Sequence, residues 1–307
     1  MEYIEGNTNF QYKNSAVTLG KFDGIHLGHR QLMNLILSNK KENMTTIMFS
    51  LLLHPSNLFS DKEFELIYTE DEKLALLKRI GIDVVISYPL TESTKKMEPE
   101  EFIKDILIKK LDAKLIVVGN DYRFGLNRKG DVELLKKYEE VYGYKVIACE
   151  KIKYGNKIIS SSAIRTALKK GDIELVNAML GQPYMIRGEV VHGRKIGRTI
   201  GMPTTNLIPP SNKLLPPCGV YTSKTLINGV RYPGVTNIGY KPTVGAEEHL
   251  GVETYIFDYN NYLYGEIIEV ELYSNMRPEL KFGTLEELTQ RMALDIREAK
   301  EYFKKMP

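Results

Sequence analysis

The stretch AVTLGKFDGIHLGHRQLMNLIL, residues 16–37, joins a short apolar run to an amphipathic helical pattern through a glycine-rich loop. Glycine lets a backbone approach a ligand closely, and the first turn of a helix offers N–H groups and a partial positive charge. His26 and His29 stand three residues apart at this helix start, so both imidazoles can face one set of phosphate oxygens. The segment predicts a phosphate-binding turn rather than two histidines that only cap a helix, and it contains Gly20, Phe22, Asp23 and Gly28.

The first 182 residues have the alternation of an α/β domain. Five strand candidates, AVTLG, TTIMFSLL, DVVISYP, KLIVVG and YKVIACE, alternate with amphipathic patterns. One helix is expected to begin at the cap Thr69 and to end at Gly81, and others are expected over 98–111, 131–142 and 161–180. Such alternation predicts a parallel sheet covered on both faces, with its ligand site at the carboxyl ends of the strands.

The pattern changes at Gly181-Gln182-Pro183. Residues 183–307 contain the runs YMIRGEVV, GVYTSKTLI, VRYPGVTNI, VETYIFD and YGEIIEVELY, separated by turns such as Asn228-Gly229. This spacing predicts an antiparallel β-barrel or sandwich, and a terminal helix over 284–305 with Thr284 as its cap. We therefore expect two domains, 1–182 and 183–307.

Composition excludes several classes of protein. The 307 residues have 43% hydrophobic content, 42 basic and 39 acidic side chains and a net charge of +3, which describe a globular chain without a polycationic face. Two cysteines cannot build a disulfide framework or a zinc site with Cys-x-x-Cys spacing. No apolar run reaches the length of a membrane span, and the N-terminus lacks the apolar core of a signal peptide. We expect a cytoplasmic protein that binds neither nucleic acid nor membrane.

The second domain opens with a basic, glycine-rich segment, GEVVHGRKIGRTIGMPTTNL, residues 188–207. Its composition suits a flap over phosphates, although it also suits a solvated hairpin; the flap residues are Gly193, Lys195, Gly197, Arg198, Gly201 and Pro203. Thr204 and Asn206 alternate along an extended segment, which places two neutral oxygen ligands on one face. Mg²⁺ takes few protein oxygens and binds substrate phosphates, so these two residues are candidate ligands; a simple hydroxyl turn after Pro203 is the other interpretation.

Three motifs of the first domain resemble those of known enzymes. GKFDGIHLGH, residues 20–29, resembles the adenylyl-transfer signature of the nucleotidyltransferases, which have a Rossmann-like fold. LIVVGNDYRFGLNRKGD (115–131) and KIISSSAIRTAL (157–168) are similar to the second and third motifs of bacterial FAD synthetase modules. The resemblance implies that FMN attacks the α-phosphorus of ATP while His26 and His29 stabilise the reacting phosphoryl group. It further implies phosphate or nucleotide contacts for Asn120, Ser161, Ser162 and Arg165. Asp23 is left with two roles, to hold a divalent ion or to orient the loop.

One segment departs from that family. The family has Thr-Phe-Asp/Glu-Pro-His-Pro after its second strand, whereas this chain has MFSLLLHP, residues 48–55, without the acid and the first proline. His54 and Pro55 remain, and we assign His54 no catalytic role. This difference bears on the shape of the flavin or nucleotide pocket near the loop, and with it on the rate or substrate preference of adenylyl transfer.

The second domain resembles the riboflavin kinase module over residues 184–305. Besides the flap, the segments GVTNIGYKPTVG (234–245), LGVETYIFDYNNYLYGE (250–266) and NMRPELKFGTLEEL (275–288) carry the resemblance. It implies that Thr204 and Asn206 bind Mg·ATP, that Glu253 is the base for the riboflavin 5′-hydroxyl, and that Arg277 lies on the flavin side.

The two resemblances together predict a bifunctional enzyme of flavin synthesis. Riboflavin and ATP would give FMN and ADP, and FMN and a second ATP would give FAD and pyrophosphate, with Mg²⁺ as the metal. Three alternatives remain: one silent module, with adenylyl transfer the one in question; another adenylyl- or cytidylyltransferase; and a flavin-sensing regulator without turnover. A homo-oligomer is compatible with the sequence.

Overall fold

The structure is a computed structural model that describes residues 1–52, 65–193, 197, 201–242 and 248–306. The chain forms two compact units. The first contains the described residues of 1–64 together with 73–160, and the second contains 65–72 and the described residues of 161–307. The boundary at residue 182 was inferred from sequence motifs and stays a prediction. The compact units instead divide between residues 160 and 161, before the helices of residues 161–180.

The first unit is a parallel six-stranded sheet with helices, which confirms the predicted α/β class. Its strands are β1 (Glu2–Glu5), β2 (Ser15–Leu19), β3 (Thr45–Leu52), β4 (Val84–Pro89), β5 (Ala113–Gly119) and β6 (Lys145–Cys149). They lie in the order β1-β4-β3-β2-β5-β6, and every neighbouring pair is parallel. The first strand was not predicted, and a small hairpin, β7 (Lys153–Tyr154) and β8 (Lys157–Ile158), follows the sheet.

Helices connect the strands. They are α1 (Leu27–Ser38), α2 (Glu70–Ile80), α3 (Glu92–Lys95), α4 (Pro99–Glu101), α5 (Val132–Lys137) and α6 (Glu139–Tyr142). Residues Phe102–Lys110 continue α4 as a π-helix, and Leu126–Arg128 form a 3₁₀ turn. The predicted cap at Thr69 is confirmed, because its hydroxyl accepts the N–H of Glu72 at 3.3 Å while the Glu72 carboxylate accepts the N–H of Thr69 at 2.9 Å. The first three residues of α2 belong to the second unit.

The position of β2 explains where a ligand can bind in the first unit. All five residues of β2 are buried, as expected of a strand in a parallel sheet that is covered on both faces. β3 pairs with one edge of β2 and β5 with the other. Successive strands are therefore added first on one side of β2 and then on its other side. A crevice opens at such a reversal of strand order, beyond the carboxyl ends of the strands. The loop that begins at Gly20 leaves β2 at that edge.

The second unit is a curled antiparallel sheet, a half-barrel, which agrees with the predicted barrel. Its strands are β9 (Tyr184–Glu189), β10 (Thr204–Leu207), β11 (Gly219–Ile227), β12 (Val230–Pro242), β13 (Glu248–Ile256) and β14 (Ile267–Pro278), in the order β10-β13-β12-β11-β14-β9. An isolated bridge between Val191 and Asn206 joins the chain just past β9 to β10, so the two sheet edges come together.

Helices also accompany this sheet in the described part of the second unit. They are α7 (Ser161–Lys170), α8 (Ile173–Leu180) and α9 (Leu285–Lys305). The side chain of Asn177 fixes α8 to the sheet by donating to the carbonyl of Leu272 at 2.9 Å and accepting the N–H of Tyr184 at 2.7 Å. The terminal helix begins as predicted, with the Thr284 hydroxyl accepting the N–H of Glu287. Within the described ranges, no helix has both the length and the apolar character needed to cross a membrane.

Candidate active sites

The loop after β2 places both predicted histidines at the start of α1. His26 is the N-cap of this helix, and its Nδ1 accepts the backbone N–H of His29 at 3.3 Å. The two imidazole rings stack with their centroids 3.7 Å apart, and the buried ring of Phe22 meets His29 edge-on at 5.2 Å. A Cβ at Gly28 would lie 3.1 Å from Cε1 of His26, so glycine leaves the space that this ring needs. The structure thus brings four predicted site residues together.

Burial changes the acid–base behaviour of these histidines. His26 is only 8% exposed, and burial lowers its pKa from 6.5 to about 4. Burial first, and the proximity of His26 second, hold the pKa of His29 well below 6.5. Nδ1 of His29 is buried and has no hydrogen-bond partner among the described residues. Both rings are therefore neutral at neutral pH, and a neutral imidazole can donate one hydrogen bond to an anion without first binding a proton.

The other predicted residues of this unit lie at the same edge of the sheet. Thr18 pairs with Val117, so β2 and β5 end side by side and Gly20 and Asn120 follow neighbouring strands. Asn120 is exposed, and its amide donates to the Glu150 carboxylate at 2.7 Å. Asp23 is half-buried in the glycine loop.

The remaining adenylyl-site candidates belong to the second unit. Ser161 and Ser162 are the first two residues of α7, and the Arg165 guanidinium one turn later donates to the backbone carbonyl of Glu65. Because the histidines lie in the first unit, joint action of these residues on one nucleotide stays a prediction. His54 of the departing segment lies outside the described residues.

A second cluster of predicted residues forms where β10 pairs with β13. Asn206 stands opposite Glu253 in the antiparallel register, and Thr204 stands opposite Tyr255. The Thr204 hydroxyl donates to Oε1 of Glu253 at 2.5 Å, so the strand pairing brings the candidate ligand and the candidate base into direct contact although they are 49 positions apart in sequence. Asn206 is 7% exposed.

The described part of the flap lies against this cluster. A Cβ at Gly193 would come within 2.7 Å of Cγ of Asn206, so the close approach of the chain to this amide requires glycine. The carbonyl of Gly197 accepts the N–H of Met202 at 2.7 Å, while Gly201 and Pro203 are exposed. Lys195 and Arg198 lie outside the described residues.

Two cavities meet at Thr204. One, of about 330 Å³, is lined by Glu253, Arg277 and apolar side chains of the sheet and of α9, among them Val220, Val235, Leu288, Met292 and Ile296. The other, of about 270 Å³, is lined by Pro203 and by three tyrosines, Tyr259, Tyr262 and Tyr264. Glu253 thus lies beside the apolar cavity, and Thr204 lines both cavities. This arrangement can support transfer of a chemical group between molecules bound in the two cavities.

Arg277 lies in the wall of the larger cavity and is held there by a carboxylate. Its guanidinium makes hydrogen bonds of 2.6–3.2 Å to Asp295 of α9, and it also donates to the carbonyl of Pro278. Asp295 is 1% exposed and also binds Arg291 at 2.8 Å. The structure therefore shows Arg277 as a connection between β14 and the helix that covers the cavity.

The donor set at this site fits a hard divalent cation. Thr204, Asn206 and Glu253 offer hydroxyl, amide and carboxylate oxygens, the hard donors that Mg²⁺ prefers. In the part of the chain that the structure describes, no group of three or more His, Cys, Asp or Glu side chains could hold a metal by itself. A metal held by few protein oxygens and completed by phosphates suits this arrangement better than a metal held by a closed protein cage.

Sequence reasoning missed most of the residues that line the larger cavity, and three of them show why. Asn237 faces Glu253 across β12 and β13, Tyr255 lies two residues after Glu253 on the same face, and Asp295 closes the wall from α9. Asp295 could have been noticed, because it is an acid within the apolar stripe that contains Leu288, Met292 and Ile296. Asn237 and Tyr255 carry no comparable signal, since polar and aromatic residues at strand positions are common.

Comparison with known proteins gives matches along the whole chain. The family model for FAD synthetase matches residues 9–163, and the model for riboflavin kinase matches residues 180–303. A protein of Buchnera aphidicola subsp. Schizaphis graminum, named bifunctional riboflavin kinase/FMN adenylyltransferase, is 38% identical over 99% of both chains. A Bacillus subtilis protein of the same name is 38% identical over 94% of this chain and 92% of its own.

A solved structure is also similar. It comes from Streptococcus pneumoniae, is named a macrolide-efflux protein, and has a TM-score of 0.83 with 29% identity over 97% of this chain and 98% of its own. The similarity covers both compact units.

Proposed function

The chain belongs to the family of bifunctional riboflavin kinases/FMN adenylyltransferases, and we propose that its two reactions take place at the two sites described above. The enzyme phosphorylates riboflavin with ATP to give FMN, and it transfers an adenylyl group from ATP to FMN to give FAD and pyrophosphate. The contact between Glu253 and Thr204, at the junction of two cavities, is the observation that carries the kinase assignment.

In the kinase site, Glu253 is the base and the larger cavity takes the flavin. The apolar wall suits an isoalloxazine ring, and Glu253 then accepts the proton of the 5′-hydroxyl as that oxygen attacks the γ-phosphorus. The nucleotide occupies the smaller cavity, where tyrosines can stack on the base, with the flap of residues 193–203 over the phosphates. Arg277 acts from the flavin side by fixing the cavity wall.

Mg²⁺ is the metal we propose for this site, with Thr204 and Asn206 as its protein ligands. When bound, the ion neutralises charge on the transferring phosphates. Gly193 keeps Asn206 in its buried position, so the flap and the ligand are structurally linked.

In the adenylyl site, the FMN phosphate attacks the α-phosphorus of ATP directly, so the protein supplies position and charge stabilisation rather than a nucleophile. His29 and His26 act as neutral hydrogen-bond donors to the reacting phosphoryl group, supported by the N-terminus of α1 and by Gly20 and Asn120 at the sheet edge. We assign the pyrophosphate to Ser161, Ser162 and Arg165. Asp23 keeps two possible roles, metal binding or loop orientation.

The two assignments are tested by one crossed experiment on the full chain. His29→Asn is expected to slow FAD formation from FMN by about 100-fold or more while FMN formation from riboflavin stays within about twofold, because only one site loses a transition-state contact. Glu253→Gln is expected to have the reverse effect. Product chromatography after incubation with ATP and Mg²⁺ measures both activities in each variant.

Circular dichroism of both variants serves as the folding control. Equal loss of both activities in one folded variant would contradict separate sites, and full FAD formation by His29→Asn would remove the histidine assignment. Wild-type protein that turned over only one substrate would support a silent module, and flavin binding without any product would support a regulator. The cytoplasmic location and the homo-oligomer expected from the sequence stay predictions.

A further inference from the structure

A row of hydroxyl side chains crosses four neighbouring strands of the second unit. The Thr236 hydroxyl on β12 donates to Oγ of Ser223 on β11 at 2.8 Å, and it lies 2.8 Å from the hydroxyl of Thr254 on β13. On the fourth strand, β10, the Thr205 hydroxyl donates to the carbonyl of Thr254 at 3.3 Å. Because Thr236 gives its one proton to Ser223, Thr254 must donate to Thr236. We call these four residues the hydroxyl row.

The row lies in the interior of the half-barrel. Ser223 and Thr236 are fully buried and Thr254 is 1% exposed, although apolar side chains of similar size would fill the same space. A hydroxyl buried without a partner costs about 1–3 kcal/mol, and the hydrogen bonds among these three remove that cost. Their mutual hydrogen bonds remove that cost only in the observed strand alignment.

Three of the four members of the row are next to residues of the kinase site. Thr205 lies between Thr204 and Asn206 in sequence, and Thr254 lies between Glu253 and Tyr255. Thr236 lies between Val235 and Asn237, both of which line the larger cavity. Since side chains alternate along a strand, the row occupies the sheet face opposite the one that carries these site residues.

Strand alignment needs such a device here. A slip of one residue would turn buried side chains to the wrong face, but a slip of two residues preserves the alternation and is not excluded by hydrophobicity. A two-residue slip of β13 would place Val252 or Ile256 beside Thr236 and leave its hydroxyl without Thr254. The same slip would separate Glu253 from Asn206 and Thr204.

We infer that the hydroxyl row positions the kinase site by aligning β10, β13 and β12, so that Asn206, Glu253 and Asn237 stand at one level and the Thr204 hydroxyl reaches Glu253. Ser223, Thr236 and Thr254 are positioning residues, because their hydroxyls lie on the face opposite the cavity that contains Glu253, whereas Thr205 also lines the smaller cavity. The inference rests on the proposed place of Glu253 and Thr204 in the kinase reaction.

The test replaces Thr236 with valine, which keeps the shape of the side chain and removes the hydroxyl. We expect Thr236→Val to lower the kcat of riboflavin phosphorylation about tenfold, since a small displacement of reacting groups is costly. Thr236→Ser should restore the rate to within about twofold, a rescue that a merely space-filling role would not give. FAD formation from FMN by the same chain is the internal reference and should not change.

Thr225→Val is the matched control. Thr225 is a fully buried threonine on the same face of β11 as Ser223, but its hydroxyl has no hydrogen-bond partner among the described residues, and its neighbours do not line the cavity. Its replacement should leave the kinase rate within about twofold of wild type. If Thr236→Val does not fold, Ser223→Ala replaces it as a smaller change, with an expected loss of roughly threefold.

Glu253→Gln, measured in the same assay, separates this inference from the site assignment. Loss of kinase activity in Glu253→Gln and Thr236→Val, with rescue by Thr236→Ser, supports both. Loss in Glu253→Gln with a wild-type rate in Thr236→Val, or an equal loss in Thr225→Val, overturns the role of the row alone. A wild-type rate in Glu253→Gln overturns the site assignment and the positioning role with it.

Discussion

At the scale of single residues, the His26–His29 stack links stability to pH. Burial lowers the pKa of His26 from 6.5 to about 4, so between these pH values the unfolded chain binds a proton that the folded chain does not. This contribution to stability is fully present above pH 6.5 and is lost as the pH falls toward 4, with a magnitude on the order of 3 kcal/mol. In the His26→Asn variant the side chain at position 26 can still cap the helix, but it cannot bind a proton in this pH range. We expect its melting temperature to fall less than that of wild type between pH 7 and pH 4.5.

His192→Asn is the control for this comparison. His192 is exposed and its ring lies 4.0 Å from that of Tyr264 in the second unit, so this variant replaces a histidine without altering the His26–His29 stack. Melting would be followed by circular dichroism at several pH values. A His26→Asn protein that loses as much stability on acidification as wild type would show that the buried imidazole is not the source.

At the scale of secondary-structure elements, α9 depends on one buried carboxylate. Asp295 binds Arg277 of β14 and Arg291 of its own helix, and it lies on the face that closes the larger cavity. Removing the charge of a buried ion pair leaves its cationic partner poorly compensated, which costs about 3 kcal/mol or more. We expect Asp295→Asn to lower the stability of the second unit by that amount and to raise the KM for riboflavin, because the cavity wall loosens.

The same helix offers a matched exposed pair. Arg291 also binds Glu298 at 3.3 Å, and the Glu298 side chain is 48% exposed. Glu298→Gln should change stability by less than about 1 kcal/mol and leave the KM for riboflavin unaltered. Calorimetry and initial-rate kinetics on both variants give the comparison, and equal effects would show that burial of Asp295 is unimportant.

Elements with strong local patterns were predictable from the sequence, and elements defined by distant partners were less so. The five apolar runs of the first unit became β2 to β6, and Thr69 and Thr284 cap their helices as expected. The strand β1 was missed because its four residues, Glu2–Glu5, have acids at both ends and gain their order from pairing with β4. The spacing that predicted a helix over 98–111 does not distinguish the π-helical hydrogen bonding of Phe102–Lys110.

The candidate sites differ in the same way. The cluster of Phe22, His26 and His29 is local in sequence, so its composition and spacing already indicated a site. The contact of Thr204 with Glu253 depends on the pairing of β10 with β13, which no local pattern specifies, and only the resemblance to a kinase module named both residues beforehand. Asp295 and Thr236 were not foreseen, because their roles depend on side chains far away in the sequence.

At the scale of the whole molecule, the segment 65–72 lies within the FAD synthetase match in sequence. In the structure it belongs to the second compact unit, which contains the riboflavin kinase match. Residue 72 lies within the FAD synthetase match, yet Glu72 binds the ammonium of Lys213 at 2.5 Å inside the second unit. Both side chains are almost wholly buried, and Lys213 also donates to the carbonyls of Ile67 and Met185. The segment pairs with the chain beside Lys213 through Leu66.

This buried pair predicts that the stability of the second unit depends on a residue outside the riboflavin kinase match. Glu72→Gln leaves the Lys213 ammonium buried without its counter-charge, and we expect a loss of about 3–5 kcal/mol in the unfolding of the second unit. The double variant Glu72→Gln/Lys213→Met, which removes both charges and keeps an acceptor for the N–H groups of Thr69 and Arg187, should recover most of that loss. Glu65→Gln, which breaks an exposed pair with Lys169, should cost less than about 1 kcal/mol. Calorimetric unfolding of the full chain measures the stability of all three variants. If the double variant is less stable than Glu72→Gln, the attraction between the two charges, and not only the need to avoid a lone buried charge, holds the segment in place.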